Sequence, residues 1–234
     1  MKMIRAVVFD LDNTLVDFMK MKDLCIQAAV DAMIDAGLRM DKDTAKRKLF
    51  AIYDVQGIEY QQIFDRFLEE EMGRIDFKIQ ASGIHAYRRQ RSAALVAYPH
   101  VHDTLIKLLR RGLRLGVVSD APRPQAWLRL VQMDLHHLFD HVVTFDDTGI
   151  RKPDPAPFAE CLRRLGVAAG ESLMVGVWAE RDVLGAKMIG MKTVFARYGD
   201  VFHTVDAQAD FEVNDIADLL AVLDQLNADR CSQT

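Results

Sequence analysis

The segment "IRAVVFDLDNTLV" (Ile4–Val16) decides the fold that this sequence predicts. Its first half is a short apolar run rich in β-branched residues, which is typical of a fully buried strand. The run turns polar at Asp10, and the carboxyl ends of parallel strands are where α/β sheets bind ligands. The segment therefore predicts a first strand that ends in chemically useful side chains.

Similar apolar runs recur along the chain, and helical segments separate them. Further strands are predicted at 113–119, 141–145, 172–177 and 192–196, with amphipathic segments such as "PAPFAECLRRLG" between them. Strands that alternate with helices of roughly 10–15 residues indicate βαβ units and a parallel sheet. We therefore expect an α/β core with a Rossmann-like parallel sheet, covered on both faces.

One long region interrupts this alternation. Residues 17–97 contain several helical segments, for example "EYQQIFDRFLEEEMG", and no convincing strand. Roughly 80 helical residues inserted after the first strand predict a separate small bundle. We expect residues 1–16 and 99–234 to form the α/β core and residues 17–98 to form an inserted all-helical domain.

Composition and charge argue against several classes of protein. The formal net charge of −4, with both signs mixed along the chain, disfavours nucleic acid and anionic membrane as partners. No apolar run approaches the roughly 20 residues needed to span a bilayer, and no signal-peptide pattern precedes the first strand. The widely spaced Cys25, Cys161 and Cys231 indicate thiols in a reducing compartment. We expect a cytoplasmic protein.

Two carboxylates follow the first predicted strand. Asp10 and Asp12 are two residues apart, and in an extended chain this spacing sends both side chains the same way. Because like charges repel, a cation is expected between them, and oxygen ligands at this edge of a sheet suggest Mg²⁺. A carboxylate can also attack phosphorus while a second carboxyl protonates the leaving oxygen. The structural alternative is that both acids cap the next element.

Later strand ends carry side chains suited to a phosphoryl group. "LGVVSDAP" ends the second predicted strand with Ser119 and Asp120, where a hydroxyl and backbone N–H groups can hold phosphoryl oxygens. "DDTGIRKPDPAPF" places Lys152 in a proline-bounded loop, where its point charge can neutralise an aspartate–phosphate site. Taken singly, such residues are more typical of turns and solvated surface.

Four motifs together resemble the haloacid dehalogenase-like hydrolase superfamily. In chain order they are "FDLDNTLV", "VVSD", "RKPDPAPF" and "MVGVWAERDVLGAKMIGM". The helical insertion resembles the cap that members carry between the first and second motifs. Each motif is weak alone, but four in the right order are a specific signal. The resemblance covers about residues 4–220.

The resemblance implies a role for each motif residue. It makes Asp10 the nucleophile and Asp12 the general acid and base, and it assigns Mg²⁺ to Asp10 with the backbone carbonyl of Asp12. Members that displace halide tend to lack the second acid, so Asp12 favours hydrolysis of a phosphate ester. The residues placed around the phosphoryl group and its charge are Thr14, Ser119, Asp120 and Lys152.

The fourth motif departs from the family pattern at Val177. Members usually carry Asp after the glycine that here is Gly176, and that Asp binds the metal in many of them. A valine offers no oxygen, and losing one partner of a metal site typically costs roughly 10–100-fold in affinity or activity. Asp182 is the natural substitute as a metal ligand, directly or through water, and Glu180 is a weaker candidate. The alternative for Asp182 is an acid that stabilises the first turn of a helix.

The sequence predicts two alternative classes of function, and they differ in the weight given to Val177. The acids and Lys152 predict an Mg²⁺-dependent phosphatase that acts on a small phosphorylated metabolite through an aspartyl-phosphate intermediate. Val177 predicts instead an impaired member, a pseudoenzyme or binding protein. A phosphomutase or dehalogenase on the same scaffold is a further alternative. The sequence leaves the substrate's identity and the oligomeric state open.

Overall fold

The computed structural model of the protein describes residues 3–228. The chain divides into two compact units. One contains the residues up to Asp17 together with those from Val96 onward, and the other is Phe18–Leu95. The divisions between the units thus follow residues 17 and 95, whereas the sequence predicted them after residues 16 and 98.

The larger unit is built on a parallel sheet. Within residues 3–228 its strands are β1 (Ala6–Phe9), β2 (Arg114–Val118), β3 (His141–Val143), β4 (Ser172–Gly176), β5 (Lys192–Ala196) and β6 (Phe211–Val213). They lie in the order β3-β2-β1-β4-β5-β6, and each neighbouring pair is parallel. The predicted α/β fold with a parallel sheet is therefore confirmed.

One strand of this sheet, β6, was not predicted from the sequence. This strand is short, lies at the sheet edge and pairs with β5 alone. Phe211 and Val213 are partly or fully buried, whereas Glu212 between them is exposed. A segment of this kind lacks the continuous apolar run that identifies the central strands.

The smaller unit, Phe18–Leu95, is helical, and no strand occurs among its residues, all of which are described. Its helices are α1 (Phe18–Asp35), α2 (Lys42–Gln56), α3 (Ile63–Met72) and α4 (Phe77–Ala94). Asp41 and Asp76 cap the starts of α2 and α4 by accepting hydrogen bonds from backbone N–H groups of the first turn. The apolar faces of the helices share one buried core, which includes Ile26, Met33, Leu49 and Phe67.

Helices of the larger unit alternate with its strands along the chain. They are α5 (Val101–Arg110), α6 (Arg123–Gln132), α7 (Phe145–Thr148), α8 (Ala156–Leu165), α9 (Leu184–Met188) and α10 (Leu219–Ala228). Phe158 and Leu162 of α8, for example, pack in one buried cluster with Val8, Val118 and Met174 of the central strands. Because the strands are parallel, the loops that follow them open at one edge of the sheet.

Two expectations based on composition concern membranes and cysteines. In the described part of the chain, no helix combines the length and apolar character needed to cross a membrane. Cys25 and Cys161 are free and buried, and Cys231 lies outside the described residues.

Candidate active site

Charged side chains from separate loops meet at the ammonium group of Lys152. Its Nζ donates to Oδ1 of Asp10 at 2.6 Å, to Oδ1 of Asp182 at 2.7 Å and to the carbonyl oxygen of Val118 at 3.3 Å. Asp10 follows β1, Asp182 lies beyond β4, and these two strands are neighbours at the centre of the sheet. Lys152 is only 5% exposed, and both carboxylates are buried. The structure therefore brings a cation and two acids together in a largely dry site.

Asp10 is held on both of its carboxylate oxygens. Oδ1 accepts from Lys152, and Oδ2 accepts from the hydroxyl of Thr14 at 3.1 Å. Burial raises the pKa of Asp10 to about 7; Lys152 opposes this rise, and the carboxylates of Asp182 and Asp12 add to it. A strongly shifted acid next to a specific charged partner is typical of a functional site.

Lys152 keeps its positive charge in spite of its burial. Loss of hydration disfavours the ammonium, but the carboxylates of Asp10, Asp182 and Asp120 outweigh this effect and raise the pKa of Lys152 above its ordinary value. The charge is also satisfied by short hydrogen bonds, as a buried ion requires. Lys152 therefore supplies a fixed positive charge beside Asp10 at neutral pH.

A tight turn carries the chain from Asp10 to Thr14. Asn13 has φ of 61°, in the left-handed region that Asn tolerates better than most residues. The turn packs against the loop after β5, where a Cβ added at Gly199 would overlap the carbonyl oxygen of Asn13. Tyr198 of the same loop donates to the carbonyl of Thr14 at 2.8 Å. The loop after β5 therefore fixes the turn that presents both first-motif acids.

Ser119 and Asp120 follow β2, next to the Lys152 loop. Ser119 is buried, and its Oγ accepts from the N–H of Ala121 at 3.2 Å. The carboxylate of Asp120 accepts from the backbone N–H of Lys152 at 2.9 Å and from Nη1 of Arg181 at 3.3 Å. Asp120 thus connects the end of β2 to the loop that carries the central cation.

Asp12 has a charged neighbour that the sequence analysis did not consider. Nε of Arg129, in the last turn of α6, lies 3.3 Å from Oδ1 of Asp12. The available signal was helical spacing, since Arg129 shares the buried side of α6 with Ala126 and Leu130. An arginine at an apolar position of a helix indicates a buried partner, but the sequence does not identify that partner.

Asp182 is the partner of Lys152, and its second oxygen is also engaged. Oδ2 accepts from the backbone N–H of Trp178 at 3.0 Å. The carboxylate lies against the backbone of Gly176, where an added Cβ would be 2.5 Å from Cγ of Asp182. The glycine of the fourth motif therefore gives this acid the room to reach Lys152.

Val177 is buried at the end of β4, with 2% of its surface exposed. Its side chain faces the loop after β5, because Cγ1 lies 2.9 Å from the position of a Cβ added at Gly199. The chain then forms a π-helical turn, Ala179–Val183, in which Glu180 is exposed to solvent and Asp182 is buried. The two late acids of the motif thus have different surroundings.

The donors available to a metal ion are few. Among residues 3–228, no group of three or more His, Cys, Asp and Glu side chains is arranged to hold one. The carboxylates of Asp10 and Asp182 each accept hydrogen bonds on both oxygens, and together with the backbone carbonyl of Asp12 they are the candidate donors. This set fits a cation that takes its other ligands from water and phosphate, as Mg²⁺ commonly does.

Comparisons with known proteins support the resemblance seen in the motifs. Residues 7–196 match the family model described as haloacid dehalogenase-like hydrolase. A glyceraldehyde 3-phosphate phosphatase from Methanocaldococcus jannaschii is 34% identical over 230 residues, which are 97% of this chain and 100% of the relative. The crystal structure of a HAD phosphatase from Thermococcus onnurineus is 28% identical, with a TM-score of 0.67 over 94% of this chain and 98% of that one. A magnesium-bound HAD hydrolase from Bacillus subtilis, 20% identical with a TM-score of 0.69 over 95% and 100% of the two chains, shares the fold.

Proposed function

We propose that this chain, which belongs to the haloacid dehalogenase-like hydrolase family, is a phosphatase that hydrolyses a small phosphate monoester through a phosphorylated Asp10. The observation that carries the proposal is the 2.6 Å contact between the carboxylate of Asp10 and the ammonium of Lys152 at the centre of the sheet edge. A carboxylate held there beside a fixed cation is arranged to receive an anionic phosphoryl group.

The reaction proceeds in two steps on the chain's own residues. In the first, an oxygen of Asp10 bonds to phosphorus while the bond to the ester oxygen breaks, and Asp12 gives that oxygen a proton. In the second, Asp12 takes a proton from water as the water oxygen bonds to phosphorus. The bond between Asp10 and phosphorus breaks, which frees the carboxylate of Asp10 and releases inorganic phosphate. Thr14 and Ser119 bind phosphoryl oxygens, and Lys152 balances their charge.

Mg²⁺ is the cofactor in this proposal, and the B. subtilis hydrolase of the same fold binds magnesium. The carboxylate of Asp10 and the backbone carbonyl of Asp12 would hold it, together with substrate phosphate and water. When bound, the ion neutralises charge between the nucleophile and the phosphoryl group. Because Val177 has no oxygen to offer a metal ion, we expect Mg²⁺ to bind roughly 10–100-fold more weakly than in a site with one more partner.

The substrate belongs to the small phosphorylated metabolites in this proposal. The M. jannaschii relative is named for glyceraldehyde 3-phosphate, which makes this ester the first to test. The helical unit, Phe18–Leu95, would serve as the cap that selects the organic part of the substrate. A cytoplasmic location is part of this proposal, and the free thiols of Cys25 and Cys161 are in keeping with it.

Val177 favours one second candidate, a phosphate-binding protein with an impaired metal site. One experiment separates the two functions: phosphate release from p-nitrophenyl phosphate and glyceraldehyde 3-phosphate, measured over Mg²⁺ concentrations from micromolar to tens of millimolar. The phosphatase releases phosphate only with Mg²⁺, and Asp10→Asn abolishes the release in a protein that circular dichroism shows to be folded. If the protein binds inorganic phosphate but hydrolyses neither ester, the phosphatase is ruled out and the phosphate-binding protein is the function that remains.

A further inference from the structure

A buried arginine lies beside the acid that moves protons in the proposed reaction. Nε of Arg129 is 3.3 Å from Oδ1 of Asp12, and Arg129 is only 4% exposed. Arginine is among the side chains least often buried, and a buried guanidinium needs charged or hydrogen-bonding partners. The contact joins α6 to the loop after β1, so that it links two separate parts of the larger unit.

The guanidinium is carried by a helix that is held at its start and along one buried side. At its start, the backbone N–H of Arg123 donates to the carboxylate of Asp146 at 2.7 Å. Along its length, Ala126 and Leu130 are buried on the same side as Arg129. The helix backbone that carries Arg129 is therefore held by contacts that do not involve Asp12.

The side chain of Asp12 is more exposed than that of Asp10. The exposed fraction is 24% for Asp12 and 11% for Asp10. Proton transfer requires the acid to lie within hydrogen-bond reach of the ester oxygen, and a misplacement of about 1 Å can cost on the order of 100-fold. A guanidinium is planar and permanently charged, which suits it to orient a carboxyl group.

We infer that Arg129 is a positioning residue, which holds the carboxyl of Asp12 where it exchanges a proton with the ester oxygen. This inference rests on the proposed phosphatase activity. Two kinds of substrate should differ in their need for this proton. The p-nitrophenolate ion leaves readily without one, whereas the alkoxide of an alkyl phosphate needs one. A residue that acts through Asp12 must therefore matter more for the alkyl ester.

The test compares kcat/KM for p-nitrophenyl phosphate and for an alkyl phosphate monoester such as glycerol phosphate. Arg129→Met is expected to lower the value for the alkyl ester by about 10- to 100-fold and to change that for p-nitrophenyl phosphate by less than about threefold. Asp12→Asn sets the upper limit of the same selectivity. Arg129→Lys, which keeps the charge without the planar fork, is expected to fall between Arg129→Met and the parent. The matched control is Arg163→Met on α8, whose side chain is 70% exposed.

Equal losses for both substrates, or no loss for either, would overturn the role of Arg129 and leave the phosphatase activity standing. A parent that hydrolyses neither ester would overturn the proposed function and this inference with it. Melting temperatures of all variants are measured alongside the kinetics. If Arg129→Met melts below the assay temperature, Arg129→Lys carries the comparison, and its smaller loss is again expected to be greater for the alkyl ester than for p-nitrophenyl phosphate.

Discussion

The carboxylate of Asp182 lies directly against the backbone of Gly176, so that a Cβ added at residue 176 would be 2.5 Å from Cγ of Asp182. This separation is shorter than any ordinary packing contact. The same carboxylate supplies one of the two acid contacts that hold Lys152. The lack of a side chain at Gly176 therefore allows the contact by which Asp182 balances the charge of Lys152.

Gly176→Ala is expected to push Asp182 away from Lys152. Overpacking of a buried position costs typically about 1–3 kcal/mol, so the free energy of unfolding should fall by this amount, and kcat should fall with it. Urea denaturation and steady-state kinetics measure the two effects. The control is Gly170→Ala, because a Cβ at Gly170 meets nothing within 4 Å. A Gly176→Ala protein with parental stability and activity would show that Asp182 does not need its present position.

The raised pKa of Asp10 predicts how stability depends on pH in the metal-free protein. The ordinary value is 3.8 and the folded value is about 7, so the folded chain binds more protons than the unfolded chain between these pH values. The free energy of unfolding should therefore fall as pH rises through this window. Urea denaturation in EDTA at several pH values should show this fall in the parent and a smaller one in Asp10→Asn. Parallel pH curves for the two proteins would contradict the shift.

More of the fold could be predicted from the sequence than of the contacts between side chains at the candidate site. Continuous apolar runs identified the central strands, whereas β6, with the exposed Glu212 at its centre, has no such run. Strand ends also predicted that Asp10 and Lys152 share one edge of the sheet. The partners of Asp182 and Arg129 could not be predicted, because a π-helical turn and the packing of α6 determine where these side chains point.

Deletion of the helical unit tests whether this unit selects the substrate while the larger unit carries out the hydrolysis. In the larger unit, Val16 forms an antiparallel bridge with Ala97, and the N–H of Tyr98 donates to the carbonyl of Leu15 at 2.9 Å. The two chain crossings therefore lie side by side, and a short Gly-Ser linker can join residues 17 and 96. We expect a folded α/β core that hydrolyses phosphate esters with little discrimination among them. Circular dichroism and a panel of esters measure this, and insolubility at every linker length would count against an independent core.

Val177→Asp tests whether the missing oxygen weakens the metal site. A carboxylate there is expected to lower the Mg²⁺ concentration for half-maximal activity by roughly tenfold or more. Without Mg²⁺, a charge at the buried position 177 should lower the melting temperature, and the rise in melting temperature on adding Mg²⁺ should grow. Val177→Asn is the uncharged control of similar shape. If Val177→Asp changes neither quantity and Asp182→Ala abolishes both, Asp182 is the working metal ligand.

The proposed mechanism requires that Asp10 becomes phosphorylated, and acid quenching during turnover can trap this intermediate. Asp12→Asn is the protein to use with p-nitrophenyl phosphate and Mg²⁺, because its first step needs no proton while hydrolysis of the intermediate is slowed. Mass spectrometry of the peptides should then find one phosphoryl group on the peptide that contains Asp10. The same peptide of Asp10→Asn should carry none. Release of p-nitrophenol by Asp12→Asn with no phosphoryl group on Asp10 would contradict the proposed mechanism.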